Sequence, residues 1–166
     1  MHILQISAVV SAFISLLLTL IALGSDHWVL IGNLNRGLWK FCRPSASSYI
    51  CVTYSMDLEP DSYHATRAFL FFGMIAGAIS CIGLCCTFFP FQLGSISKTK
   101  SSAIASLIAA GCVLIAMATF TGCLTPQSSS EWSYGWSFGL GWANIPLFLI
   151  TGGLTFALDR AVSTGA

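Results

Sequence analysis

The sequence predicts an all-α membrane fold: a bundle of four transmembrane helices carrying a small extracellular antiparallel β-sheet. Three observations carry this. Of the 166 residues, 55% are hydrophobic and only 8% are charged, against about 25% charge in an ordinary soluble domain. The few charges are segregated, leaving four long stretches that hold none. The longest segment between those stretches contains short aromatic and β-branched runs broken by turn residues.

Mean hydropathy is +0.81. Too few charges remain to wet a surface of this size, so most of it must face lipid. That excludes a soluble enzyme, a disordered chain and a coiled coil. A net charge of +1 excludes a nucleic-acid binder, which needs a concentrated basic face to neutralise phosphates.

The charge-free runs place the helices. No charge precedes Asp26, and further gaps run through residues 68–97, 101–130 and 132–158. A helix needs about 20 apolar residues to cross the hydrocarbon core, which predicts spans over residues 3–23, 68–89, 103–124 and 137–158 of a single tetraspan domain, 1–166. The first run is too long for a signal-peptide core and no basic residue precedes it, so it is read as a retained span. No ionisable residue falls inside a predicted span, which argues against a proton pump or ion transporter. The connections are unequal: 26–67, 90–102 and 125–136.

Lys98 and Lys100 favour a cytoplasmic middle loop, but Arg36, Lys40, Arg43 and Arg67 crowd the long loop, so basic residues alone leave the orientation open. Cysteine decides it. Of seven cysteines only Cys42 and Cys51 lie in the long loop. Nine residues apart between strand-like segments, they read as a disulfide formed in an oxidising compartment. The long loop is therefore expected outside, with both termini cytoplasmic in the plasma membrane. Residues 28–31, 38–41 and 49–54 are the strand-like runs, punctuated by Gly32-Asn33 and by residues 44–48. A free-standing sheet this small would be marginal, so it is expected to rest on the helix ends.

Trp28, then Gly37-Leu38-Trp39, then Cys42 and Cys51, then Arg67 at the entrance to the second helix form an ordered signature. On these residues the chain resembles the claudin, peripheral myelin protein and epithelial membrane protein superfamily. Within it the likeness is to the branch of lens fibre membrane proteins, through Ser25-Asp26-His27-Trp28, Ala65-Thr66-Arg67-Ala68-Phe69 and Trp136-Ser137-Phe138. A granule-protein branch shares the last element. The resemblance implies a tetraspan fold, no catalytic activity, no cofactor, and a role in adhesion or junction organisation. It also departs from pattern. His64 stands where the lens branch carries a glycosylated Asn, and no Asn-x-Ser/Thr occurs in this chain. The stretch after Leu158 ends in Thr-Gly-Ala, without the scaffold-docking tail usual in claudins.

Single features are weighed against plainer roles. Trp28 and Trp39 are expected as interfacial aromatics that seat the sheet at headgroup level rather than as binding hot spots. Arg67 is expected to satisfy loop carbonyls at the membrane edge. Asp57, Glu59 and Asp61 could ring a cation pore, though an acidic loop run is usually just solvated. Cys85 and Cys86, before Pro90, are candidates for palmitoylation, and otherwise pack as small apolar groups. Cys81-x3-Cys85 lacks histidine or carboxylate company, so no metal site is expected. Gly135-Trp136-Ser137-Phe138-Gly139 matches a hydrolase pattern literally, but it opens a membrane span. Its glycines, Gly73 with Gly77, and the Ser7, Ser11 and Ser15 ladder instead put small residues on one helical face, where they let helices approach closely.

The expected role is thus non-enzymatic adhesion between membranes or between neighbouring copies. The candidate contact tips are Asn33, Asn35, Ser45, Ser47, Gln127 and Ser129. Partners are the lipid bilayer, further copies of the chain in cis or trans, and other membrane proteins. A paracellular barrier or cation pore, and an accessory role in vesicle membranes, are the alternatives.

Overall fold

The computed structural model describes residues 2–55, 57, 59–89, 97–124 and 131–165. Four helices, each long and apolar enough to cross a membrane, make the bundle: α1 (His2–Gly24), α2 (Asp61–Cys85), α3 (Lys98–Cys123) and α4 (Trp136–Thr164). A 3₁₀ turn, Cys86–Phe88, continues α2. The strands are β1 (Val29–Ile31), β2 (Leu34–Arg36), β3 (Lys40–Pro44), β4 (Tyr49–Thr53) and β5 (Trp132–Tyr134). They form one antiparallel sheet in the order β4-β3-β2-β1-β5.

All four helices are longer than the spans predicted for them, α1 by a single residue at each end. A charge-free run measures what hydrocarbon tolerates, not where backbone hydrogen bonding stops, so helical turns continue into polar sequence at both membrane faces. Helix α2 starts seven residues before residue 68, with Asp61 in its first turn, where a carboxylate suits the helix dipole. This corrects one expectation: Arg67 lies in the second turn of α2 and Asp159 inside α4, so ionisable residues do occur within the spanning helices.

Inside the bundle, small and hydroxyl-bearing residues are buried beside large apolar ones such as Leu70, Met117 and Phe148. Ala8, Ala12, Ala109 and Ala116 are buried, with Ser15, Thr19, Thr66, Ser106, Thr151 and Thr155 beside them, while Ile3, Phe72, Ile82 and Ile104 face outward. Lipid is as apolar as isoleucine, so contact area and interhelical hydrogen bonds drive the association. Gly73 of α2 meets Val113 of α3, Gly77 of α2 meets Phe148 of α4, and Gly141 of α4 meets Met117 of α3. Ser11 and Thr151 share a hydrogen bond at 2.7 Å across α1 and α4, and Ser80 donates to the Ser102 carbonyl at 2.8 Å across α2 and α3. Further up the α1–α4 seam, Asn144 Nδ2 donates to Thr19 Oγ1, two residues before Pro146 interrupts the α4 hydrogen-bond ladder. Of the predicted small-residue faces, Gly73, Gly77, Ser11 and Ser15 pack inside, whereas Gly139 faces open space and Ser7 stays exposed.

The sheet is larger than expected. Asn35, taken with Asn33 as a contact tip, lies in strand β2. Gly32, at φ +57, is the first residue of a two-residue turn that only glycine adopts cheaply. Strand β3 begins at Lys40, not residue 38, and β5 comes from the segment between α3 and α4, pairing Val29–Ile31 with Trp132–Tyr134. Three-residue strands leave too little alternation to read from sequence. The sheet sits at the end of the bundle where α1 exits and α2 enters.

Gly77→Val should place methyl groups against the Phe148 ring, where even a Cβ comes to 2.9 Å. It is expected to destabilise by about 1–3 kcal/mol in unfolding from detergent micelles. Gly153→Ala, with nothing within 4 Å of the added carbon, should change little.

Candidate functional site

The signature residues converge on the joint between sheet and bundle. Helix α1 ends with carbonyls that have no helical partner, and two indoles answer them. Trp28 Nε1 donates to the Ala22 carbonyl at 2.6 Å and Trp39 Nε1 to the Leu23 carbonyl at 2.9 Å. Trp28 is fully buried, edge-on to Phe120 with ring centroids 4.8 Å apart. It is therefore a core residue and not the headgroup-level aromatic expected from sequence, because its one polar atom is satisfied within the protein. Both tryptophans do seat the sheet.

Gly37-Leu38-Trp39 is held from three sides. A side-chain carbon on Gly37 would stand 2.5 Å from Asp26 Cα and from the Ser25 carbonyl, so only glycine admits this approach. Leu38 is fully buried. Its carbonyl accepts from Arg67 Nε at 2.8 Å and also from Arg67 Nη2. The guanidinium lies 4.5 Å from the centre of the Trp39 ring, and its Nη2 also pairs with the Glu59 carboxylate. Arg67 thus satisfies a loop carbonyl, as expected. Its partner Glu59 was missed, read as one member of an acidic run. Glu59 is buried against Arg67, while Asp57 and Asp61 are exposed, so the three carboxylates do not form one ring.

Beside this joint, Arg36 stacks on Tyr54 and Tyr63, and its Nε donates to Tyr54 Oη at 3.0 Å. Burial pushes the Tyr54 phenol up to about 12, although Arg36 pulls it the other way. Helix α4 is tied in as well. Ser137 N donates to the His27 carbonyl at 3.2 Å, and Ser137 Oγ to Ser25 Oγ at 2.6 Å. A strand does lead into α4 at the Gly135–Gly139 pattern, but Ser137 is buried and its hydroxyl is spent on Ser25.

Cys42 and Cys51 are directly opposite in the β3–β4 register, Cα atoms 4.1 Å apart, and are disulfide-bonded. Among the described residues, the single grouping with metal-ligand geometry is Asp26 with these two sulfurs, and a disulfide offers no thiolate.

The candidate tips divide. Asn33, Ser45 and Ser47 are exposed in turns. Asn35 is buried at 9% exposure; its Nδ2 faces His27 Nε2 at 3.1 Å and donates to Tyr49 Oη at 2.9 Å. It is an internal tie between β2 and β4, not a contact tip, because alternate strand residues point inward. Gln127 and Ser129 lie outside the described residues. Strand β4 is an edge strand exposed throughout, including Tyr49, Ile50 and Val52. At the other end of the bundle, Cys85 and Cys86 are exposed. Cys123 is exposed at the sheet end of α3.

Residues 1–155 match the family described as PMP-22/EMP/MP20/Claudin. The chain belongs to this family. Among curated relatives, the human lens fiber membrane intrinsic protein is 28% identical over 153 residues, covering 85% of this chain and 83% of the relative. Its rat counterpart is 24% identical over 149 residues, with the same coverage. The mouse protein NKG7 is 28% identical over 145 residues, covering 82% of this chain and 80% of its own length. The family's tetraspan fold agrees with the bundle and sheet described above, and the protein is a multi-pass membrane protein. In this chain Trp28, Leu38, Trp39 and Arg67 fasten the sheet to α1 or α2, and Gly37 packs against Ser25 and Asp26 just beyond α1.

Removing one partner of the buried pair should be severe. Arg67→Ala is expected to cost about 3–5 kcal/mol in unfolding from mixed micelles. Arg67→Met with Glu59→Leu should cost less, since no buried charge is left alone and Glu59 Oε1 already lacks a partner among the described residues. Cys42→Ser should lose about 2.5–3 kcal/mol. Reductant should produce the same loss in the parent chain and none in the variant.

Proposed function

We propose that this chain is an adhesion or junction-organising protein of the plasma membrane, with both termini cytoplasmic and the sheet outside. The disulfide between β3 and β4 is the observation that carries the reading, because such a bond belongs to an oxidising compartment. It supports the outward orientation of the sheet and stiffens the face that would meet a partner. That face offers the polar turns at Asn33, Ser45 and Ser47 and the exposed edge of β4. The partner is a second copy in an opposing membrane or beside it in the same one. Single contacts of this size are weak, and many copies in two membranes act by avidity. The likeness to a lens fiber membrane protein favours the same reading. A carboxylate-lined cation pore is less favoured, since Glu59 is committed to Arg67. Cys85 and Cys86, exposed at the cytoplasmic end of α2 in this orientation, are the proposed palmitoylation sites.

Proteoliposomes carrying the purified chain should aggregate with differently labelled proteoliposomes carrying the same chain, read by two-colour fluorescence. Ser45→Glu with Ser47→Glu should reduce aggregation several-fold while leaving the unfolding temperature unchanged. Absence of aggregation at high protein density would overturn adhesion in trans, and residence in vesicles rather than at the cell surface would overturn the localisation.

A further inference from the structure

The membrane-facing surface between α2 and α3 is concave. A groove of about 560 Å³ lies there, lined among the described residues by these two helices and almost wholly apolar. Its shape follows from residue size. Ala76 and Ala105 form the floor, at 9% and 8% exposure, while Phe72, Ile79, Ile104 and Ile108 stand as walls at 54–58%. These positions recur at the three- and four-residue spacing that keeps side chains on one helical face.

The length of the groove discriminates among occupants. On α3 it runs from Ser101 to Cys112, about 16 Å at 1.5 Å per residue. That is half of the roughly 30 Å hydrocarbon core. A spanning helix of another protein would need a furrow through both leaflets; a lipid chain anchored in one leaflet needs only this depth.

The end of the groove carries charge. Lys98 lies three residues before Ser101 and continues the face of residues 101, 105, 108 and 112. Its Nζ donates to the Cys86 carbonyl at the end of α2, 3.3 Å away at an exposed position. The ammonium is therefore held between the two helices, one turn beyond the hydrocarbon part of the groove. Asp159 of α4 accepts from Ser97 Oγ at 2.7 Å and from Thr99 Oγ1 at 2.5 Å.

We propose that this groove binds one acyl chain of an anionic phospholipid, with the lipid phosphate against the Lys98 ammonium. In the orientation proposed above this is the cytoplasmic leaflet, where anionic lipids concentrate. Only the choice of leaflet rests on that orientation; the site itself does not.

The test uses the full chain in detergent micelles, incubated with equal amounts of a palmitoyl-oleoyl phosphatidylserine and the matching phosphatidylcholine, with retained lipid counted by native mass spectrometry. One phosphatidylserine per chain should be retained, preferred about fivefold over phosphatidylcholine, the weight of one lysine near an anionic headgroup. Ala105→Phe should fill the floor and lose both lipids. Lys98→Ser should keep acyl binding but lose the preference, and Lys98→Arg should restore it. Thermal unfolding confirms that each variant is folded, and Ala76→Leu replaces Ala105→Phe if that variant is not. Equal retention of the two lipids by the parent chain would overturn the proposal. So would unchanged retention in the floor variant, or a lipid-free dimer that Ala105→Phe dissociates, which would assign the groove to a second copy.

Discussion

The Arg67 guanidinium stands where sheet and bundle meet, and the sheet end of the molecule is organised around keeping it satisfied. Burying a cation costs several kcal/mol unless its donors and charge are matched. Here the match comes from three places: the Leu38 carbonyl, the Glu59 carboxylate and the face of Trp39. None of them can be withdrawn alone. Leu38 and Trp39 belong to the turn between β2 and β3, Glu59 to the segment entering α2, and Arg67 to α2 itself. A sheet of three- to five-residue strands would be marginal in water. Fastened through this joint and through the two indoles on the α1 carbonyls, it becomes part of the bundle.

The bundle below is held together differently. Many of its buried residues are alanine, serine, threonine and glycine, packed around a few large ones such as Phe120 and Phe148, while isoleucines such as Ile79, Ile82 and Ile104 point outward. In water this would be an inverted protein. In lipid it is the expected order, because close approach and hydrogen bonds across the seams are all that favour helix on helix over helix on lipid. The same rule explains the α2–α3 groove. Small residues that let other helix pairs close up leave, at Ala76 and Ala105, a hollow that hydrocarbon must fill.

How much of this was legible depended on whether the signal was local. Four spans could be read because charge exclusion acts on every residue of a span. The Cys42–Cys51 pairing could be read because these two cysteines, nine apart between strand-like runs, are the two that fall in the long loop. The ends of the helices could not, since hydropathy reports the membrane and not the backbone, and so Arg67 and Asp159 were placed outside elements that contain them. Strands β2 and β5 are too short for alternation to emerge. Asn35 looked like a tip residue because it stands two places after the Gly32-Asn33 turn signal; its burial depends on Tyr49 meeting it from β4 and His27 from the α1 exit. Glu59 read as a solvated acid because nothing nearby in sequence marks it as the partner of a side chain two helical turns into α2.

The joint also bears on how such a surface could act. Binding costs whatever freedom the contact residues lose, and weak contacts can be multiplied by avidity only if each copy presents the same geometry. The turns at Asn33, Ser45 and Ser47 hang from strands whose register is fixed by the disulfide, by the Asn35–Tyr49 bond and by the Arg67 joint. A loosened joint would leave every tip residue in place chemically, yet let the tips of different copies point differently. Residues that never touch a partner, Arg67 and Glu59 above all, would then govern adhesion as strongly as the exposed serines, through orientation rather than contact.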